Sequence, residues 1–194
     1  DAERSGNDLV VQALSSAGTV SSVRLVNQFS ANKIEYFVIR GEPEGVYTFD
    51  ATGAGTSGGD WLAGTAAADS LYGGLGDDWL AGGSGNDTLV GNFGNDKLLG
   101  GAGSDNLSDD QGSNVLDGGE GDDSLNARAR GNQTLMGGSG NDNLFARGDS
   151  VSMDGGEGSD SLNLEASRNA VLLGGVGDDN LGGYLSRWDV DLTG

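Results

Sequence analysis

From residue 55 to residue 182 a single large apolar side chain recurs about every ninth position, set among glycines and polar residues. The units read GTSGGDWLA (55–63), GTAAADSLY (64–72), GGLGDDWLA (73–81), GGSGNDTLV (82–90), GNFGNDKLL (91–99), GGAGSDNLS (100–108), DDQGSNVLD (109–117) and GGEGDDSLN (118–126). They continue as ARARGNQTLM (127–136), GGSGNDNLF (137–145), ARGDSVSMD (146–154), GGEGSDSLN (155–163), LEASRNAVLL (164–173) and GGVGDDNLG (174–182). The recurring residue is Leu in thirteen of these fourteen units and Met153 in the other; two places before it stands Asp in ten. A period of nine fits no amphipathic helix, whose apolar face returns every three or four residues. The polar–Leu–polar triplet predicts a short strand with one side chain aimed inward. The glycine-rich remainder predicts a turn, because glycine reaches positive φ without steric cost. Two units then make one coil: turn, strand, turn, strand. The expected fold is all-β, a flattened right-handed parallel β-roll, or β-helix solenoid, with leucines of two sheets stacked in a thin core.

The flanks have a different texture. In residues 1–54 the runs LVVQAL, TVSSVRLVNQF, KIEYFVI and VYTF read as strands, separated by the turn signals SSAG and GEPEG. They predict an antiparallel segment capping the first coil. Residues 183–194, GYLSRWDVDLTG, leave the pattern as a short C-terminal flank whose Leu185 and Trp188 are candidates to cover the last coil. Asp1 at the start and a stop in mid-pattern at Gly194 predict a piece of a longer chain, and no secretory leader opens it.

Composition narrows the chemistry. The chain has no Cys and no His, which removes disulfides, thiolate and imidazole metal sites, and thiol or imidazole catalysis. GxSxG and phosphate-loop patterns are also missing, so no catalytic residues are expected. No apolar run approaches a membrane span. A net charge of −20 repels phosphate backbones and anionic membranes, so no nucleic acid partner is expected. With 38 glycines among 194 residues, such a chain sits near the disordered boundary unless something neutralises it. One leucine per unit offsets little of the entropy of ordering nine residues. The natural counterion is a hard divalent cation taken by carboxylates and carbonyls, which points to calcium.

The GGxGxDxLx pattern resembles the glycine-rich nonapeptide of the repeats-in-toxin (RTX) family. That resemblance implies calcium held between turns eighteen residues apart, which stack on one edge of the roll. The lower turn would give the carbonyls of its second and fourth residues and its Asp, and the upper turn those of its first and third and its Asp. Between the turns at 73 and 91 these are Gly74, Gly76 and Asp78 with Gly91, Phe93 and Asp96. On the opposite edge, Gly83, Gly85 and Asp87 face Gly100, Ala102 and Asp105. Gly101 and Gly103 then face Gly118, Glu120 and Asp123. Gly119 and Gly121 face Gly137, Ser139 and Asp142; Gly138 and Gly140 face Gly155, Glu157 and Asp160. Gly156 and Gly158 face Gly174, Val176 and Asp179. Asp60 and Asp69, in the weaker turns GTSGGD and GTAAAD, are secondary candidates. About seven or eight ions are expected, offsetting most of the negative charge. The first edge decays from residue 109 onward, where DDQGSN, ARARGNQ, ARGDSV and LEASRNA lose the double glycine and the Asp. Calcium is therefore expected on both edges early and on one edge afterwards.

Four arginines, Arg128, Arg130, Arg147 and Arg168, fall in the decayed turns. Their expected role is charge compensation beside residues such as Asp149 or Glu165, with an anion-binding stripe as the alternative. Trp61 and Trp79 occupy equivalent positions one coil apart and should stack on an outer face, packed under the N-terminal segment, with a sugar ring or a partner as the alternative occupant. Adjacent carboxylates such as Asp77/Asp78, Asp122/Asp123 and Asp178/Asp179 read as ligands in calcium turns rather than as a glycosidase pair. The resemblance implies a secreted, extracellular bacterial protein exported by type I secretion machinery, disordered at cytosolic calcium and folding outside. An adhesive solenoid binding glycans or cells, and the noncatalytic tail of a protease, lipase or epimerase, remain open as alternatives. A regular threonine row, as in ice-binding solenoids, is missing: the third turn positions read Ser84, Ala102, Glu120, Ser139, Glu157 and Val176.

Overall fold

The computed structural model describes residues 54, 55, 57–165 and 168–184, together with the strands at 2–5, 8–14, 20–25, 37–40 and 190–193. Its centre is a parallel β-solenoid of two sheets. One has seven strands: Ser70–Leu75, Thr88–Phe93, Asn106–Asp109, Ser124–Ala127, Asn143–Ala146, Ser161–Glu165 and Asn180–Tyr184. The other has nine. It runs in parallel from Asp60–Ala63 through Trp79–Ser84, Lys97–Ala102, Val115–Glu120, Asn132–Ser139, Ser150–Glu157 and Asn169–Val176 to Val190–Thr193. At its start Phe37–Arg40 pairs antiparallel with Asp60–Ala63. The expected cap formed by residues 1–54, and the covering role of Leu185 and Trp188, fall largely outside the described residues.

Register follows the repeat. Leu62 lies opposite Leu80, Leu80 opposite Leu98 and Leu98 opposite Leu116, each one coil above the last. The ten-residue units insert their extra residue without shifting this column, since Leu116 still meets Leu135 and Leu135 meets Met153. The inward residues from Leu62 to Leu172 are almost completely buried in one cluster, and Leu181 packs partly against it.

The strands are longer than the predicted triplets. Those of the nine-stranded sheet from Trp79–Ser84 to Asn169–Val176 reach 6 to 8 residues, because the glycines of the following turn keep the ladder in register, as Gly83 with Gly101 and Gly119 with Gly138. Stacked turns of identical geometry can continue the pairing, whereas ordinary loops would splay.

On the decayed edge the core widens. Ala127, Ala146 and Leu164 pair in sequence at the first turn position, and all are buried. At the position held elsewhere by Asp stand Val151 and Ala170, also paired and buried. Apolar side chains occupy here what polar groups occupy on the other edge. Trp61 and Trp79 stack as expected, 4.9 Å between ring centroids and 14° between planes. They are 48% and 39% exposed, so they form an outward-facing aromatic pair.

Candidate metal centre

Each turn aspartate is fixed by the coil beneath it. The backbone N–H of Asp87 donates to Asp105 Oδ1 at 2.7 Å, that of Asp105 to Asp123 Oδ1 at 2.7 Å, and that of Asp123 to Asp142 Oδ1 at 2.8 Å. Asp142 and Asp160 continue the ladder to Asp160 and Asp179. The other edge repeats it from Asp60 to Asp78 and from Asp78 to Asp96. The side chains are therefore held in one rotamer, and their second oxygens are left over. Oδ2 of Asp78, Asp87, Asp96, Asp105, Asp123, Asp142 and Asp160 is buried with no hydrogen-bond partner. Buried polar groups are normally paired, so a whole column of unpaired carboxylate oxygens demands a ligand.

The space beside those oxygens is small and lined with carbonyls. A methyl group built on Gly118 would run into Asp123 Oδ2 and lie 2.7 Å from the Gly137 carbonyl oxygen. Gly82, Gly100, Gly137 and Gly155 repeat the arrangement with their own Asp and the first glycine of the next coil. The carbonyls at the second and fourth positions point toward the coil above: those of Gly83 and Gly85 toward Gly101 and Gly103, those of Gly101 and Gly103 toward Gly119 and Gly121. Third-position carbonyls each accept one bond from the coil below; Ala102, Glu120, Ser139, Glu157 and Val176 take the N–H of Gly85, Gly103, Gly121, Gly140 and Gly158, at 2.7 to 2.8 Å. One lone pair remains on each. The donors are hard oxygens only, as a calcium-sized cation prefers. Among the described residues no three acidic side chains converge on one point, so the cage must draw chiefly on the backbone.

The sequence-predicted residues thus assemble as two rows, and the weaker candidates differ for visible reasons. Asp69 Oδ2 already accepts bonds from the N–H and hydroxyl of Thr65, at 2.6 and 2.9 Å. Asp60 is buried at the foot of its row, and Asp179, at the top of the other, is only partly buried. In the turn at 91 the second position is Asn92 with φ of 77°, a left-handed conformation asparagine tolerates better than most. Of the arginines, Arg168 lies 3.9 Å from Asp149 in an exposed ion pair of small energetic weight. Arg128 stacks its guanidinium 4.6 Å over the Phe145 ring.

Two features were missed in the sequence. The fifth turn residue forms a second ladder: Asp77 Oδ1 accepts the N–H of Asn95, Asn95 Oδ1 that of Ser113, and Asn141 Oδ1 that of Ser159. The repeated Asp, Asn or Ser at that place was the signal. The turn at 109 is also less degraded than its letters imply. Asn114 Oδ1 accepts the N–H of Asp96 at 2.9 Å, as an aspartate would. One coil on, buried Gln133 donates instead to the Gly112 carbonyl at 2.8 Å.

Burial governs the acidity of these groups. It pushes Asp78 and Asp123 up to about 7 and Asp142 to about 6, against the N–H donated by the coil beneath. Asp87, Asp105 and Asp160 rise for the same reason. Without metal, a folded-state value above the unfolded one favours the fold at low pH. That gain is complete below about 4, where unfolded aspartates protonate too, and is lost as pH rises through about 6 to 7. In chelator, lowering the pH from 7.5 to 5 should raise the β signal in circular dichroism. An unchanged or falling signal would contradict the picture of buried, unpaired carboxylates.

The family model for the RTX calcium-binding nonapeptide repeat matches in four copies, over residues 54–89, 90–125, 129–162 and 136–171. Searches of curated proteins and of solved structures returned no match. Together the matches cover more than half of the sequence and include the rows of unpaired carboxylates, so the chain belongs to the RTX calcium-binding nonapeptide repeat family.

Proposed function

We propose that this chain is a calcium-dependent folding module of an exported protein, noncatalytic itself, that stays unfolded at cytosolic calcium and folds outside the cell. The observation that carries the reading is the column of buried Oδ2 atoms without partners. A cation placed among them satisfies the oxygens, neutralises the row and joins adjacent coils. Asp78 with Asp96, and the row from Asp87 to Asp179, would hold the ions together with the glycine-turn carbonyls. Because the ligands come from two coils, binding and folding are one event. Ion binding on the outer side would then favour forward transport through a type I secretion machinery and fold the attached cargo. The stacked, exposed Trp61 and Trp79 leave a second reading, an adhesive surface for a sugar ring.

A calcium titration followed by small-angle scattering tests the folding role. Compaction should be cooperative, with a midpoint near 10⁻⁴–10⁻³ M, the range of extracellular calcium modules. Magnesium should fail at the same concentration, being too small and too attached to octahedral geometry. A midpoint at cytosolic calcium levels, or equal compaction by magnesium, would refute the export reading.

A further inference from the structure

We infer that Asp109, together with Asp96, forms an additional site for a calcium-sized cation between the turns at 91 and 109, where the repeat pattern itself has lapsed. This rests on the calcium reading above and extends it to a turn lacking both the double glycine and the repeat aspartate. At Gly100, Gly118 and Gly137 the two atoms crowding a methyl would be the turn's own Asp Oδ2 and the first carbonyl oxygen of the next coil. At Gly91 they are Asp96 Oδ2 and Asp109 Oδ2. A carboxylate oxygen stands where the repeat offers a carbonyl. Asp96 and Asp109 are 2% and 3% exposed, both Oδ2 atoms are buried, and no donor group of the protein reaches either, so the two facing carboxyls must share a proton or a cation. The remaining polar atoms are satisfied within the turn. Asp109 Oδ1 accepts the N–H of Gln111 at 3.0 Å, and Asn114 Nδ2 donates to the Gln111 carbonyl at 2.9 Å. The Gly94 carbonyl points up at Gly112, as the fourth-position carbonyls do in the intact turns.

The charge arithmetic fits. Asn114 keeps the ladder bond of the usual aspartate but not its charge, and Asp109 restores the missing negative charge from the other end of the turn. Lys97, next to Asp96 in the chain, holds its Nζ 4.8 Å over the Trp79 ring, and Arg128, whose N–H donates to the Asp109 carbonyl, stacks its guanidinium on Phe145. A surface cleft of about 170 Å³, bordered by Asn92, Asp109, Asp110, Asn126 and Arg128, lies beside this turn. One coil further, Ala127 and Gln133 take the places of Asp109 and Asn114, so this site would end its row.

The test is an anomalous difference map from crystals of the calcium-loaded protein and of Asp109→Ala. Alanine stands at the same position in the next two coils, so the variant is expected to fold. The wild type should show a peak between Asp96 and Asp109, and Asp109→Ala should lose it while the row at Asp105 and Asp123 keeps its peaks. Asp110→Ala, at an exposed neighbour, should keep all of them. A wild-type map with filled intact turns but nothing between Asp96 and Asp109 would overturn this inference alone. A peak that survives in Asp109→Ala would do the same. Empty turns everywhere would overturn the calcium reading as well.

Discussion

Replacing Asp123 by alanine should weaken the roll more than any other single ligand change. Asp123 lies mid-row on the intact edge, and its two oxygens serve different partners. Oδ1 accepts the N–H of Asp105, and Oδ2 lies against the Gly118 cradle. Alanine would strand a buried N–H, costing about 1–3 kcal/mol, and would remove one charged ligand from the cation site. The calcium midpoint should shift upward by roughly tenfold or more, since ~1.4 kcal/mol already gives tenfold. Asp123→Asn separates the two effects, because the amide oxygen can keep the ladder bond, as Asn114 does. It should retain the fold at saturating calcium yet bind more weakly. Circular dichroism at stepped calcium reads both variants, and an unshifted midpoint for Asp123→Ala would remove Asp123 from the ligand set.

Withdrawing calcium at neutral pH should have the larger consequence still. Parallel strands lie about 4.8 Å apart, so successive row carboxylates repeat at that spacing. At an effective dielectric near 20, two unit charges at that distance repel by on the order of 3 kcal/mol. Along the row from Asp87 to Asp179 each step must be met by this repulsion or by proton uptake, as burial already pushes Asp123 up to about 7, against a total stability of about 5–15 kcal/mol for an ordinary domain. The leucine column cannot hold such a row together, since each unit with an intact glycine turn buries only one large side chain. Cation loading reverses the sign, turning each repulsive step into a shared attraction.

Much of this was legible in the sequence because the repeat is strict. A period of nine with Leu at a fixed place sets the parallel register, and the structure buries those leucines from Leu62 to Leu172. The six-residue glycine turn with its Asp locates both edges for the same reason. What stayed hidden depends on three-dimensional substitution. Asp109 looked like a lapsed turn because it sits five residues from the expected aspartate; only folding brings its carboxylate beside Asp96. Ala127, Ala146, Leu164, Val151 and Ala170 looked like random decay, yet they are inward positions where an aliphatic core takes over from polar groups. The strands' extension into the turns was illegible too, since it comes from turn stacking on turn.

Hydrogen exchange resolved along the chain, in saturating calcium and in chelator at pH 7.5, bears most directly on the central claim. The account predicts strong protection of strand amides from Trp79–Ser84 through Asn169–Val176 with calcium, and its collapse across the whole run without it. Strands equally protected in chelator would show that the turns need no cation, and the account would fail.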